Sequence, residues 1–391
     1  GSAAGTLAVG VIVRSSSKIT SSGGNVSVDG TGGGASTGGN SQGVYVLSDG
    51  EITAGGSGTV TVTGTGGSGS GGANHGVFIT DTNSKITSGG GNVTITGTAG
   101  GGTSSAINVV TNGSITTATN GGTLALIGNS MNFDASATVS AQSGSSVTLR
   151  QNSNGVAIDL GGADAANTLG LTDAELDRVT AGTINIGNSN SGTITVSDAI
   201  SRAAATNLVL TTGGSINFSG SSALLDANGG NVTLTASSGA ITSGAGSKDV
   251  RANGVTLAGG ASGIGSNSNP FITDATSLTA TTSGSGASYL SEIDTVNVGN
   301  LLNFLGSVNL MSGTFRLTPS GGIDGYSPVF IDSAAVLQLN GAARYLNSLS
   351  GSGRVTNDSS TAGTLQIYNE FSRTFSGVLG GPGTNDNNFG L

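Results

Sequence analysis

The chain has 391 residues, a formal net charge of −9 at pH 7 and only 8% charged residues, so most of its surface must be neutral. Its 72 glycines follow no Gly-X-Y period, which excludes collagen, and the lack of cysteine excludes disulfides and thiolate metal sites. No basic cluster could neutralise phosphates, so we expect no nucleic-acid partner. No apolar run reaches the length of a transmembrane helix, so we also expect no transmembrane segment here.

The first 130 residues contain an internal repeat of three short apolar segments, separated by 29 to 34 positions from one copy to the next. The first segment recurs at Ile12, Val44, Val77 and Ile107. The second recurs at Ile19, Ile52, Ile86 and Ile115. The third recurs at Val26, Val60, Val93 and Leu124, and again two residues later at Val28, Val62, Ile95 and Leu126.

This repeat predicts a parallel β-solenoid. Apolar residues at positions i and i+2 place two side chains on one face of a strand, and three such faces enclose a thin core. One copy cannot bury that core alone, whereas stacked copies can, with each strand pairing to the copies above and below. Glycine supplies the corners between faces, and aromatic residues are only 4% of the chain, as a narrow aliphatic core requires.

Each copy has a glycine-rich loop between its third segment and the next first segment, at 30–43, 64–76 and 97–105. We expect these loops to stack along one edge, where their sequence can vary without disturbing strand pairing. The candidate ligand contacts are the polar loop residues and one tyrosine on the adjoining strand: Asn40, Gln42, Tyr45, Asn74 and His75. Tolerated insertions without a ligand are the equally weighted alternative.

His75 is the only histidine, and we expect it to be an exposed loop residue. A lone histidine without cysteine or a neighbouring carboxylate makes a poor metal site, and the abundant serines give no weight to a catalytic triad. The sequence therefore predicts no metal, no cofactor and no catalytic residue.

From about residue 131 the coils become shorter and less regular. The most charged run predicts a short inserted helix near 171–179, because Thr172 and Glu175 have the spacing of a capping box. A second, weaker helical turn is predicted at 199–205. We divide the chain into a regular section at 1–130, a continued solenoid with the helical insertion at 131–345, and a C-terminal section at 346–391.

Four segments carry a family resemblance. Leu208–Thr235, Gly263–Thr282 with its GIGSNSNPFIT, and LTDAELDRVTAGTINIG at 171–187 resemble segments of filamentous-haemagglutinin-like bacterial exoproteins. The segment at 346–381, with LSGSG and FSGV, is similar to the autotransporter-associated β-strand repeat. The resemblance implies a right-handed parallel β-helix, type V secretion, and a cell-surface or extracellular passenger anchored in the outer membrane through a region beyond this chain.

The leading hypothesis for function is an adhesin: a rigid β-helical stalk that binds a glycan or protein of a host or neighbouring cell, as in biofilms. The alternative is a carbohydrate-active enzyme, a polysaccharide lyase or hydrolase. Its paired acids would have to share one face, whereas the acids up to residue 160 are spread singly. These are Asp29, Asp49, Glu51, Asp81, Asp134 and Asp159.

A third hypothesis is an ice-binding protein or a purely structural filament, but the threonine row at Thr59, Thr61 and Thr63 is not repeated on the other coils. Neither end of the chain carries a capping helix or a run of charges. Because an uncapped solenoid presents open strand edges, we expect end-to-end self-association as a further partner interaction.

Overall fold

The computed structural model describes residues 8–34, 40–118, 122–303, 305–323, 325–368 and 372–391. The chain divides into two compact units, Gly1–Gly192 and Thr193–Leu391. Both units consist of stacked parallel strands, and one short helix interrupts the first. The fold class predicted from the sequence, an all-β parallel solenoid, is confirmed.

The N-terminal unit has three faces, each a parallel sheet whose strands follow one another in chain order. The first face contains Val11–Val13, Val44–Val46, Val77–Ile79, Ile107–Val109 and Met131–Phe133. The second face contains Lys18–Ser21, Glu51–Ala54, Lys85–Ser88, Ser114–Thr117, Thr138–Ser140 and Val179–Thr180. The third face contains Val26–Thr31, Val60–Thr65, Val93–Thr98, Leu124–Ile127, Ser146–Arg150 and Thr183–Asn188.

The strand register confirms the second and third apolar columns. Ile52 pairs with Ile86, and Val60 with Val93, and all four side chains are fully buried. The first column needs one correction, because Val11 and not Ile12 pairs with Val44. Ile12 occupies the middle of its strand and points outward, so that it is partly exposed. The sequence could not show which residues of this strand face the core, because all three positions of the strand are apolar.

Glycines on the third face allow the loops to return close to the strands. A Cβ at Gly64 would lie 2.1 Å from the carbonyl oxygen of Gly76, which begins the return to the first face. Gly30 and Gly97 stand in register with Gly64 and approach their own loops equally closely. No residue with a side chain fits at these three positions unless the backbone moves.

The predicted helical insertion is also confirmed. After two paired strands, Ala157–Leu160 and Thr168–Leu171, the chain forms the helix Asp173–Leu176. The Thr172 hydroxyl accepts from the Glu175 backbone N–H, and the Glu175 carboxylate accepts from the Thr172 N–H, which completes the capping box. Leu176 is buried and fixes the insertion to the core.

The C-terminal unit begins with short strands and continues with strands of 10 to 16 residues, the first of which pairs with two short strands in turn. The short strands are Ile194–Val196, Ala199–Ser201, Asn207–Thr212, Ile216–Phe218, Leu224–Asp226, Asn231–Ala236 and Ile241–Thr242. The long strands are Val250–Gly259, Phe271–Thr282, Ser288–Asn303, Val308–Ile323 and Pro328–Gln338. The last strands are Ala343–Leu346, Ser348–Gly351, Arg354–Thr356, Gly363–Ile367, Val378–Leu379 and Phe389–Gly390.

The helical turn predicted at 199–205 is wrong, because Ala199–Ser201 is a strand that pairs with Leu224–Asp226. The three alanines suggested a helix, but parallel pairing along the coil overrides this weak propensity. The division at residues 130 and 345 and the right-handed winding stay predictions. No helix among the described residues is long and apolar enough to cross a membrane.

Candidate ligand-binding surface

The outward side of the first face carries one side chain from each coil, which we call the outer row. Parallel pairing places these residues side by side in the order Ile12, Tyr45, Phe78, Asn108 and Asn132. The row therefore begins with apolar and aromatic side chains and ends with two amides. Its aromatic members can stack on an apolar ligand face and the exposed Asn132 can hydrogen-bond to a polar edge, whereas Asn108 is buried.

Tyr45 and Phe78 form a stacked aromatic pair at the centre of the outer row. Their ring centroids lie 4.9 Å apart, and the ring planes differ by only 9°. Burial, and then the nearby carboxylate of Asp81, raise the pKa of the Tyr45 phenol, so the hydroxyl stays protonated at neutral pH and can donate a hydrogen bond. Both side chains remain partly accessible to solvent.

His75 supports this pair from the loop beneath it, and its predicted exposure is wrong. The imidazole is buried and lies 4.9 Å from the Phe78 ring, centroid to centroid. Its Nδ1 accepts from the Ser105 backbone N–H at 3.0 Å, and its Nε2 lies 3.0 Å from the Asn108 side-chain amide. The Asn132 amide donates to Asn108 at 2.7 Å, so the polar end of the outer row is linked to the histidine.

The loops form the expected stack along one edge of the N-terminal unit, except that residues 35–39 of the first loop lie outside the described part of the chain. Asn74 is fully buried and holds the stack together. Its Oδ1 accepts from the Ser41 N–H at 3.0 Å. Its Nδ2 donates to the carbonyls of Gly69, Gly71 and Gly101 at 2.7–3.0 Å.

The five candidate contacts therefore divide into buried and reachable residues. Gln42 is buried and donates to the Ala73 carbonyl at 3.0 Å, so that it joins neighbouring loops as Asn74 and His75 do. Asn40 is exposed and adopts a left-handed φ of 72°. A ligand can reach Asn40 and Tyr45 directly, whereas the other three act from within the loop stack. Sequence spacing could not separate the two groups because amide side chains suit both environments.

Two of the scattered carboxylates of the N-terminal unit cap turns on the preceding coil. Asp81 accepts from the Ser48 N–H at 3.2 Å, and Asp134 accepts from the Thr111 N–H at 2.8 Å. Both donors belong to turns with left-handed residues, whose N–H groups point away from the strands. These acids stabilise the corners of the solenoid, one coil against the next.

A polar groove of about 570 Å³ in the C-terminal unit was not predicted from the sequence. Three carboxylates from different coils line it: Asp226, Asp274 and Asp294. Arg251, which pairs in register with Asp274, forms an ion pair with Asp226, while Lys248 contacts Asp274 at 2.7 Å. Asp294 is exposed. The signal in the sequence was one charged residue per coil at intervals of 20 to 25 positions, too irregular for a column to be recognised.

Two further acids are buried in the same coils. Burial raises the pKa of Asp249 to about 6 and that of Glu292 to about 7. Glu292 accepts from the Thr273 hydroxyl at 2.6 Å and from the Ala275 N–H at 3.1 Å. Asp249 accepts from the Ile272 N–H at 2.8 Å. Both carboxyls serve backbone and hydroxyl donors inside the solenoid.

The described residues contain no group of three or more histidine, aspartate and glutamate side chains able to hold a metal ion. Comparison with known proteins gives no match to a family model, a curated protein or a solved structure. The fold and its repeat define the chain as a β-solenoid repeat protein.

Proposed function

We propose that this chain is an adhesive β-solenoid segment of a bacterial cell-surface or secreted protein, with the passenger of a type V autotransporter as its most specific form. The outer row, together with Asn40 at the loop edge, contacts a glycan or protein on another cell. The resemblance of 346–381 to the autotransporter-associated repeat supports the location. The surface geometry supports the adhesive role.

The observation that carries the proposal is the stacked pair of Tyr45 and Phe78 on an outward strand face. Aromatic rings on a solvated face of a solenoid add nothing to its core, which is aliphatic in the regular coils. Here they are held in place by the buried His75 and flanked by the amides of Asn108 and Asn132. A preorganised aromatic surface binds a partner with little loss of side-chain entropy.

The test is adhesion of the full chain with both rings removed. We expect the double variant Tyr45→Ala/Phe78→Ala to bind epithelial cells and an immobilised glycan panel at least about tenfold more weakly than the unaltered chain. Thr61→Ala, which changes an outward threonine on the third face, is the matched control and should bind normally. Unchanged adhesion of a folded double variant would remove the outer row from the mechanism.

The carbohydrate-active enzyme remains the second candidate, and the groove of the C-terminal unit is the observation in its favour. Adhesion is preferred because ion pairs with Arg251 and Lys248 already engage Asp226 and Asp274, which leaves Asp294 as the freest acid of the groove. Release of reducing or unsaturated sugar ends from soluble polysaccharides would establish the enzyme if Asp294→Asn abolished it. Turnover that survives in Asp294→Asn would come from elsewhere.

A further inference from the structure

Three exposed tyrosines mark one corner of the C-terminal unit. Tyr326, Tyr345 and Tyr368 are 81%, 51% and 61% exposed, and they are three of the chain's five tyrosines. They belong to successive coils, since the Asn347 side chain donates to the Tyr326 carbonyl at 2.8 Å and the Tyr368 N–H donates to the Leu346 carbonyl at 2.8 Å. We call these residues the tyrosine row.

Two rings of the tyrosine row lie close to each other. The rings of Tyr345 and Tyr368 are stacked, with centroids 6.1 Å apart and planes 26° apart. Isolated exposed aromatic residues are ordinary on protein surfaces, whereas exposed tyrosines on three successive coils need an explanation. Tyr345 pairs in register with Gln366, so Tyr368 lies on the next coil, two positions beyond that partner.

A small cavity of about 370 Å³ adjoins the row at Tyr345. The cavity is open to solvent, and its wall combines three glycines and the apolar Leu302 and Ile323 with the polar side chains of Asn300, Ser320 and Arg344. The Arg344 guanidinium donates to the carbonyls of Thr318 and Gly321, both at 2.6 Å. No carboxylate of the described residues forms an ion pair with Arg344.

We propose that the tyrosine row and this cavity bind a carbohydrate chain. Sugar rings stack through their C–H faces on Tyr345 and Tyr368, and the hydroxyls of the neighbouring sugar enter the cavity, where Asn300, Ser320 and Arg344 supply hydrogen-bonding groups. A carbohydrate fits this site because exposed tyrosine rings lie beside an open cavity that offers amide, hydroxyl and guanidinium groups.

This site is independent of the outer row, because it lies in the other unit and shares no residue with it. Its competitor is a second copy of the chain. Another cavity, of about 500 Å³, is lined by Tyr368 together with Ile367, Leu379 and Leu391, and this more apolar surface suits self-association. The two occupants predict different behaviour when soluble sugars are added.

The experiment titrates the full chain with three soluble hexasaccharides: β-1,4-linked glucose, α-1,4-linked galacturonic acid and mannose. Binding is followed by calorimetry and by tyrosine fluorescence, which is unobscured because the chain has no tryptophan. We expect at least one sugar to bind and Tyr345→Ala/Tyr368→Ala to weaken it at least tenfold. Thr61→Ala, the exposed third-face control, should bind it normally.

Circular dichroism and melting temperature establish that the variants are folded, and the more conservative Tyr345→Phe should keep most of the affinity because it keeps the ring. Binding of the acidic sugar alone would assign the cavity's role to the Arg344 charge. No binding of any sugar at millimolar concentration, or binding unchanged in Tyr345→Ala/Tyr368→Ala, would overturn the proposal. A dimer that dissociates in this variant without any sugar binding would assign the row to a second copy instead.

Discussion

The backbone N–H of Ser105 donates to Nδ1 of His75 at 3.0 Å, and this bond joins the loops of two neighbouring coils. The acceptor nitrogen must be unprotonated for the bond to form. The protein's only histidine therefore belongs to the folded structure in its neutral form, in contact with the Phe78 ring of the outer row.

Burial lowers the pKa of His75 below its usual 6.5, which predicts a loss of stability in acid. As the pH falls below about 6.5, His75 becomes protonated in the unfolded chain but stays neutral in the folded chain. The free energy of unfolding therefore decreases, until the pH falls below the folded pKa and His75 is protonated in both states. Each unit of difference between the folded and unfolded pKa of His75 lowers the free energy of unfolding in acid by about 1.4 kcal/mol. Urea unfolding at pH 8 and pH 5 measures it, with His75→Gln as the reference that cannot titrate. Parallel pH profiles for the two proteins would contradict this account.

Glu292 predicts the opposite dependence. Its folded pKa of about 7 lies above the ordinary value of 4.5, so its contribution to stability is present below pH 4.5 and is lost as the pH rises through 7. A glutamine side chain at this position could donate to the Thr273 hydroxyl and accept from the Ala275 N–H without a charge. We expect Glu292→Gln to be about 1–3 kcal/mol more stable than the unaltered chain at pH 8, and about equal at pH 4. Urea unfolding at the two pH values measures the difference, and Asp294→Asn, an exposed neighbour whose charge raises the Glu292 pKa only slightly, should show a much smaller gain.

Gly64 predicts a severe effect from one added methyl group. A Cβ there would lie 2.1 Å from the carbonyl oxygen of Gly76, whereas a Cβ at Gly144 would meet no atom within 4 Å. We expect Gly64→Ala to lower the free energy of unfolding by about 2–4 kcal/mol and Gly144→Ala to change it by about 0.5 kcal/mol or less. Chemical denaturation of the two variants makes the comparison, and equal stabilities would show that the loop return has room to move.

Val93 and Thr94 test the register of the third face. Val93 is fully buried and pairs with Val60, while Thr94 points to the other side of the strand and is partly accessible. Val93→Asp places an unpaired carboxylate in the core and should cost about 3–5 kcal/mol, whereas Thr94→Asp should cost about 1 kcal/mol or less. The shifts in melting temperature decide the matter. Shifts of similar size would contradict this register, and a larger shift for Thr94→Asp would mean that the two faces are exchanged.

The regular coils could be predicted from sequence because their physics is local and periodic. Val60 and Val93 recur at the same place in each copy, and only the core face of a strand demands β-branched residues at every second position. The capping box at Thr172 and Glu175 was equally readable, since its two hydrogen bonds depend on residues three positions apart. The outward orientation of the Ile12 side chain could not be predicted in this way, because its neighbours Val11 and Val13 are just as apolar.

The candidate surfaces were harder to predict because they arise between coils. His75 became a buried support through contacts with Ser105 and Asn108, about 30 positions away, and nothing in its own loop shows this. The tyrosine row has the same origin. Tyr326, Tyr345 and Tyr368 are 19 and 23 positions apart. They lie on successive coils only because the coils of that region have about this length, and the irregular sequence pattern did not reveal the coil length.

Because the strands of the N-terminal coils pair residue for residue, the number of coils can change through duplication of a whole repeat. Val44 pairs with Val77 and Val60 with Val93, so a segment of 33 residues, spliced in at the same point of its own repeat, would meet the same partners above and below as the original. Each duplication would add about 4.8 Å to the stack and one more position to the outer row. Unequal recombination that duplicates one repeat would thus change the length of the stack and the number of outer-row positions together. Every strand contact of the new coil would repeat an existing one.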